Sequence, residues 1–122
     1  MMQALAIFIG GGLGSLSRWG MTRWLGYGEN GFPIGTLAAN LLACIVLGFF
    51  AGLASQSMQL SKPVQMGITV GFCGGFSTFS TFSKESMDLF SGSRPFVAAL
   101  YIFGSILVCF LGVYLGGRIG KP

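Results

Sequence analysis

Histidine is missing altogether, and only three of the 122 residues are acidic. The first absence removes Ser–His and Cys–His nucleophilic schemes and most transition-metal sites. Charge of either sign is scarce: charged residues make up 8% of the chain, against about 25% in a soluble domain. So few charges cannot cover a water-facing surface, and the sequence reads as a membrane protein too short for a separate soluble domain. Cysteine is limited to Cys44, Cys73 and Cys109, each alone in an apolar segment. A disulfide framework or a metal cluster needs pairing or clustering, so the three read as small hydrophobes. A basic n-region is lacking in "MMQALAIFIGGG", which runs on through Trp24, so no cleavable signal peptide is expected. The net charge of +4 suits nearby anions and anionic lipid alike, and no nucleic-acid partner is expected.

What the chain does have is apolar length and glycine, with 52% hydrophobic residues and 21 glycines. A helix needs about 20 apolar residues to cross the hydrocarbon core. Four segments qualify: Gln3–Leu25, Pro33–Ser55, Val64–Phe90 and Pro95–Arg118. The connectors "GYGENGF", "QSMQLSK" and "SGSR" are short and rich in turn formers. Residues 1–122 therefore read as one all-α unit of four transmembrane helices. Counting basic residues near the span ends sets Lys62, Arg118 and Lys121 on one side against Arg18, Arg23 and Arg94 on the other, with Lys84 inside the third span. That balance leaves two readings: topology fixed by something else, or copies that insert both ways and pair as an antiparallel dimer. Four short helices hardly enclose a solute route alone, so assembly is expected. The spacings Gly10–Gly14, Gly48–Gly52, Gly67–Gly71–Gly75 and Gly112–Gly116 also favour tight helix contacts.

The stretch "GFCGGFSTFSTFS", Gly71–Ser83, puts glycine and hydroxyls in the middle of the third span. Gly74-Gly75 is a poor place to continue a helix, at about 1 kcal/mol per glycine relative to alanine, and Ser77 and Thr78 are good N-caps for a new one. The third helix is therefore expected to break near Cys73–Thr78 and resume at about Phe79. Unpaired backbone survives in a membrane only when it is buried in protein or lines a cavity, and discontinuous helices commonly form ion sites. Phe79 and Phe82 share one helical face, with Ser80, Thr81 and Ser83 on adjacent faces. The rings either face lipid and neighbouring helices or offer their electropositive edges to a small anion. Asn40 is either an interhelical hydrogen-bonding residue or an amide donor to an anion. Arg18, in the first span, is expected to snorkel to the interface. Tyr101, Ser105 and Tyr114 add hydroxyls to the fourth span, and Lys84 and Glu85 are expected at a vestibule or the interface.

With "GFCGGFSTFSTFSKE" in the third span, "GTLAANLLA" in the second and "GGGLGSLSRW" in the first, the whole chain resembles the CrcB/Fluc fluoride channels of bacteria. The resemblance implies an antiparallel dual-topology homodimer in the bacterial inner membrane, with two pores that passively export fluoride, each lined by both subunits. It implies pore roles for Phe79, Phe82, Asn40 and Tyr101, with Ser80, Thr81 and Ser105 as a hydroxyl track. It further implies a structural Na⁺ at the dimer axis, held by the backbone carbonyls of Gly74 and Ser77. Arg18 matches the family's first-span arginine. Ser77 stands where many members carry threonine, and Cys109 where some carry a hydroxyl.

A small dual-topology drug/proton antiporter is the main rival. Cation antiport wants a membrane-embedded carboxylate in the first span, and there is none: Glu29 falls in a connector, and Glu85 and Asp88 late in the third span. An intramembrane serine protease lacks its base, and a purely structural subunit has no use for an interrupted, hydroxyl-rich span.

Overall fold

The structure, a computed structural model, describes residues 1–56 and 60–121. Residues 57–59 of the expected second connector lie outside the described residues. Among those described, all regular structure is helical. Helix α1 (Met2–Leu25) leads through a 3₁₀ turn at Glu29–Gly31 into α2 (Ile34–Ala54). Pro33 sits at the N-cap of α2, one residue before the first helical position. The third segment is built from pieces: α3 (Lys62–Met66), a π-helical stretch at Gly67–Phe72, α4 (Cys73–Phe76) and α5 (Phe79–Ser91). Helix α6 (Pro95–Ile119) opens on a proline, whose missing N–H costs nothing in a first turn.

The helices α2 and α6 are long and apolar enough to cross a membrane, with mean hydropathy over their most apolar windows of 2.2 and 2.5. Only 22% of the residues in each of these windows are buried, which is unlike the core helix of a soluble protein. The other two expected spans differ for visible reasons. Helix α1 mixes glycines, serines and two arginines into its length, and the third segment is subdivided.

The interior holds few large side chains. Ala39, Ala43 and Ala98 are buried, while Phe8, Trp24, Phe96, Phe103 and Phe110 stand exposed. Backbone contact between glycine faces takes the place of a side-chain core. A methyl group on Gly14 of α1 would run into the Phe72 carbonyl, and one on Gly116 of α6 into the Ile45 carbonyl of α2. The glycine stripes thus join α1 to the π-helical stretch and α4, and α2 to α6, within a single chain.

Candidate functional site

Helical geometry ends at Phe76. Ser77 (φ −79°, ψ 157°) and Thr78 (φ −152°, ψ 122°) are extended, and helix resumes at Phe79. Gly74 and Gly75 remain inside the helical turn of α4, so the glycine pair is not itself the point of interruption. A side chain from another helix makes the stop. Asn40 of α2 meets the peptide of Thr78 face on: the Thr78 N–H donates to Asn40 Oδ1 at 2.7 Å, and Asn40 Nδ2 donates to the Thr78 carbonyl at 3.2 Å. This side-chain amide replaces the backbone partners that an unbroken helix would supply. The Thr78 hydroxyl then caps α5, accepting from the Thr81 N–H at 3.2 Å.

Diverting the Thr78 N–H to Asn40 takes away the helical partner of the Gly74 carbonyl. Gly74 is exposed, and no side chain or backbone crowds the position its Cβ would take. The Gly75 carbonyl accepts from Arg18 Nε at 3.0 Å. Arg18 is thereby directed at the interrupted helix, in place of the snorkelling expected of it. Free peptide oxygens at a helix end suit a hard monovalent cation, so the Gly74 and Ser77 carbonyls fit the donor set that a Na⁺ would need.

One cavity, of about 260 Å³, opens beside the interruption. Asn40, Thr78, Phe79, Phe82 and Ser105 line it together with Ser77, Cys44, Ile106 and Cys109, and none of these is charged. The Phe79 and Phe82 rings lie 5.7 Å apart, and the Phe82 and Tyr101 rings 5.1 Å apart. The Ser105 hydroxyl is buried and has no partner among the described residues. An amide nitrogen carries two N–H groups, so Asn40 keeps one beyond its bond to Thr78. Two residues of the lining, Asn40 and Ser105, thus each carry an unspent hydrogen-bond donor.

Other expected site residues stand elsewhere. Ser80 and Thr81 are outside the lining; Thr81 is tied to the Thr78 hydroxyl at 3.1 Å, and Ser80 is exposed with its Oγ 3.4 Å from the same oxygen. Tyr101 is completely buried behind Phe82, and its hydroxyl donates to Glu85 Oε2 at 2.7 Å. Only its ring is left to face the aromatic row. Glu85, expected at a vestibule or the interface, is instead 8% exposed. Its Oε1 also accepts from Thr36 Oγ1 at 2.8 Å and, more loosely, from the Tyr27 hydroxyl at 3.5 Å. Burial first, and then the charge of Glu85, pushes the Tyr27 phenol above its ordinary range, so it remains a donor. Lys84, by contrast, is exposed and paired with Asp88. Thr36 and Tyr27 were not singled out from the sequence, and no local pattern marks either one.

These features define a class: a helical membrane protein with an uncharged, donor-bearing cavity beside a helix interruption. The chain matches the family described as CrcB-like protein, Camphor Resistance (CrcB), over residues 5–117, and it belongs to that family. It is similar to the fluoride-specific ion channel FluC of Phocaeicola vulgatus, at 44% identity over 95% of this chain and 96% of the relative. The FluC of Bacteroides fragilis is 38% identical over 99% and 98%, and FluC 2 of Staphylococcus saprophyticus 44% identical over 97% and 99%.

Proposed function

We propose that this chain is a fluoride-selective channel, not an enzyme, which passively exports fluoride across the bacterial cytoplasmic membrane and so limits fluoride toxicity. The observation that carries the reading is the uncharged cavity lined together by Asn40, Ser105, Phe79 and Phe82, with the Ser105 hydroxyl unpartnered among the described residues and one Asn40 N–H to spare. Fluoride is small and strongly hydrated, and replacing its water takes close donors and no fixed cation that would trap it. Conduction needs binding firm enough for entry and loose enough for exit. Hydroxyl and amide protons with electropositive ring edges meet both conditions. The near-identical length and the names of the relatives support the same reading.

In this reading residues 1–122 form one transmembrane unit, and the third span is a single helix broken at Ser77–Thr78. Two copies inserted in opposite senses make an antiparallel homodimer with two pores. The exposed faces of α1 and α6, with Phe8, Phe103 and Phe110, are then covered by lipid or by the second copy. The carbonyls of Gly74 and Ser77 from both copies would hold a structural Na⁺, whose positive charge pins the interrupted helices together and offsets anion repulsion. Drug/proton antiport is disfavoured, because α1 carries no carboxylate and Glu85 is engaged by three hydroxyls.

Expression in a bacterial strain lacking its own fluoride exporter tests the function. Growth restored in millimolar fluoride is expected. Drug resistance without fluoride rescue would replace this reading with the antiporter.

A further inference from the structure

The three cysteines look isolated in sequence, but the fold gathers them. Cys44 of α2 and Cys109 of α6 line the same cavity, and the Cys44 Cβ lies 3.4 Å from where a methyl group on Gly112, one turn beyond Cys109 on α6, would stand. Cys44 is one turn beyond Asn40, and Cys109 one turn beyond Ser105, and all four residues line the cavity. Their spacing is held by the backbone: Gly48 and Gly116, each within two turns of a cysteine, lock α2 against α6. Both cysteines are half-buried, open to an ion small enough to enter the cavity, whereas Cys73 is buried on α4. Cys73 borders a separate cavity of about 140 Å³ with Cys44, Gly74 and Ser77. No group of three histidine, cysteine or acidic side chains assembles among the described residues, so the geometry is not that of a tetrahedral Zn²⁺ site. Two thiols on one cavity wall suit a soft ion that is content with two ligands.

We propose that Cys44 and Cys109 form a two-thiol site for a soft, linearly coordinating cation, and that filling it obstructs the cavity. Each thiol releases its proton as its sulfur bonds the metal. Two S–metal bonds form, two protons leave to solvent, and no oxidation state changes. The site itself is independent of the fluoride reading; only the obstruction of transport rests on it.

Mercuric chloride is the probe, applied to purified full-length protein in detergent. One equivalent of Hg²⁺ should consume two titratable thiols in the wild type and in Cys73→Ser, but only one in Cys44→Ser or Cys109→Ser. After gel filtration against a monothiol competitor, wild type and Cys73→Ser should keep about one mercury per chain, and the other two variants at least tenfold less. Retention undiminished in Cys44→Ser or Cys109→Ser, or lost in Cys73→Ser, overturns the site. In vesicles, each variant's fluoride efflux is compared with and without Hg²⁺. Block confined to proteins holding both Cys44 and Cys109 supports obstruction, and equal block in all four overturns it. Mercury retention is read without transport, so a protein that moves no fluoride defeats the function while the site is still decided.

Discussion

Two polar clusters lie on α5 and its neighbours, separated by the rings of Phe82 and Tyr101, and they are finished to different degrees. Around Glu85, three hydroxyls from three different elements converge on one buried carboxylate, leaving each donor used. Around Ser105 and Asn40, a hydroxyl has no partner among the described residues and an amide has one N–H to spare. A saturated buried network fixes structure, because breaking any member orphans another. An unsaturated one lined by uncharged groups leaves room for a ligand to complete it. On the reading proposed above, the difference separates scaffold from path: Glu85 holds α5 to α2, α6 and the first connector, and the cavity beside Phe82 would accept the anion.

The contrast can be broken at graded cost. Asn40→Ala should be the most damaging change, because it strips both partners from the Thr78 peptide at the interruption. Leaving a part-buried donor and acceptor unpaired costs about 1–3 kcal/mol each, so thermal unfolding in detergent should show about 2–6 kcal/mol lost, and efflux should vanish. A mutant of near wild-type stability would mean that the interruption is held by something else. Phe82→Ile should leave folding and particle size on gel filtration as in the wild type and slow fluoride efflux about tenfold or more, equal to about 1.4 kcal/mol of barrier. Glu85→Gln keeps the shape but puts an N–H where a hydroxyl proton now points; about 1–2 kcal/mol of stability should be lost. The smallest stability effect belongs to Ser105→Ala, within about 0.5 kcal/mol of wild type, since no hydrogen bond in the protein is removed. Its efflux should nevertheless fall. If Ser105→Ala destabilised the fold as much as Glu85→Gln, the division into scaffold and path would be wrong.

The apolar runs and turn-rich connectors made the helices readable, because chain lengths near 20 residues and glycine-rich joints are local signals. Asn40, Phe79 and Phe82 could be picked out for a similar reason: each is unusual within its own segment. The point of interruption was less legible. Glycine propensity pointed at Gly74-Gly75, but the helix continues through both and stops where the Asn40 side chain, 38 residues away, takes the Thr78 peptide. Glu85 was harder still. Its burial depends on Tyr27, Thr36 and Tyr101 arriving together, and nothing in "SKES" foretells that. Arg18 was misjudged because snorkelling is decided by side-chain reach alone, whereas here a carbonyl freed in another helix is within 3.0 Å. Long-range polar pairings, not propensities, account for each of these differences.

The central claim is that an uncharged pocket of ring edges, one hydroxyl and one amide proton replaces the hydration shell of the smallest halide. Purified protein in lipid vesicles, loaded in turn with potassium fluoride and potassium chloride and read with ion-selective electrodes after a potassium ionophore is added, tests it directly. Rapid release of fluoride with chloride retained is the predicted result. Release of both ions at comparable rates, or of neither, would contradict it.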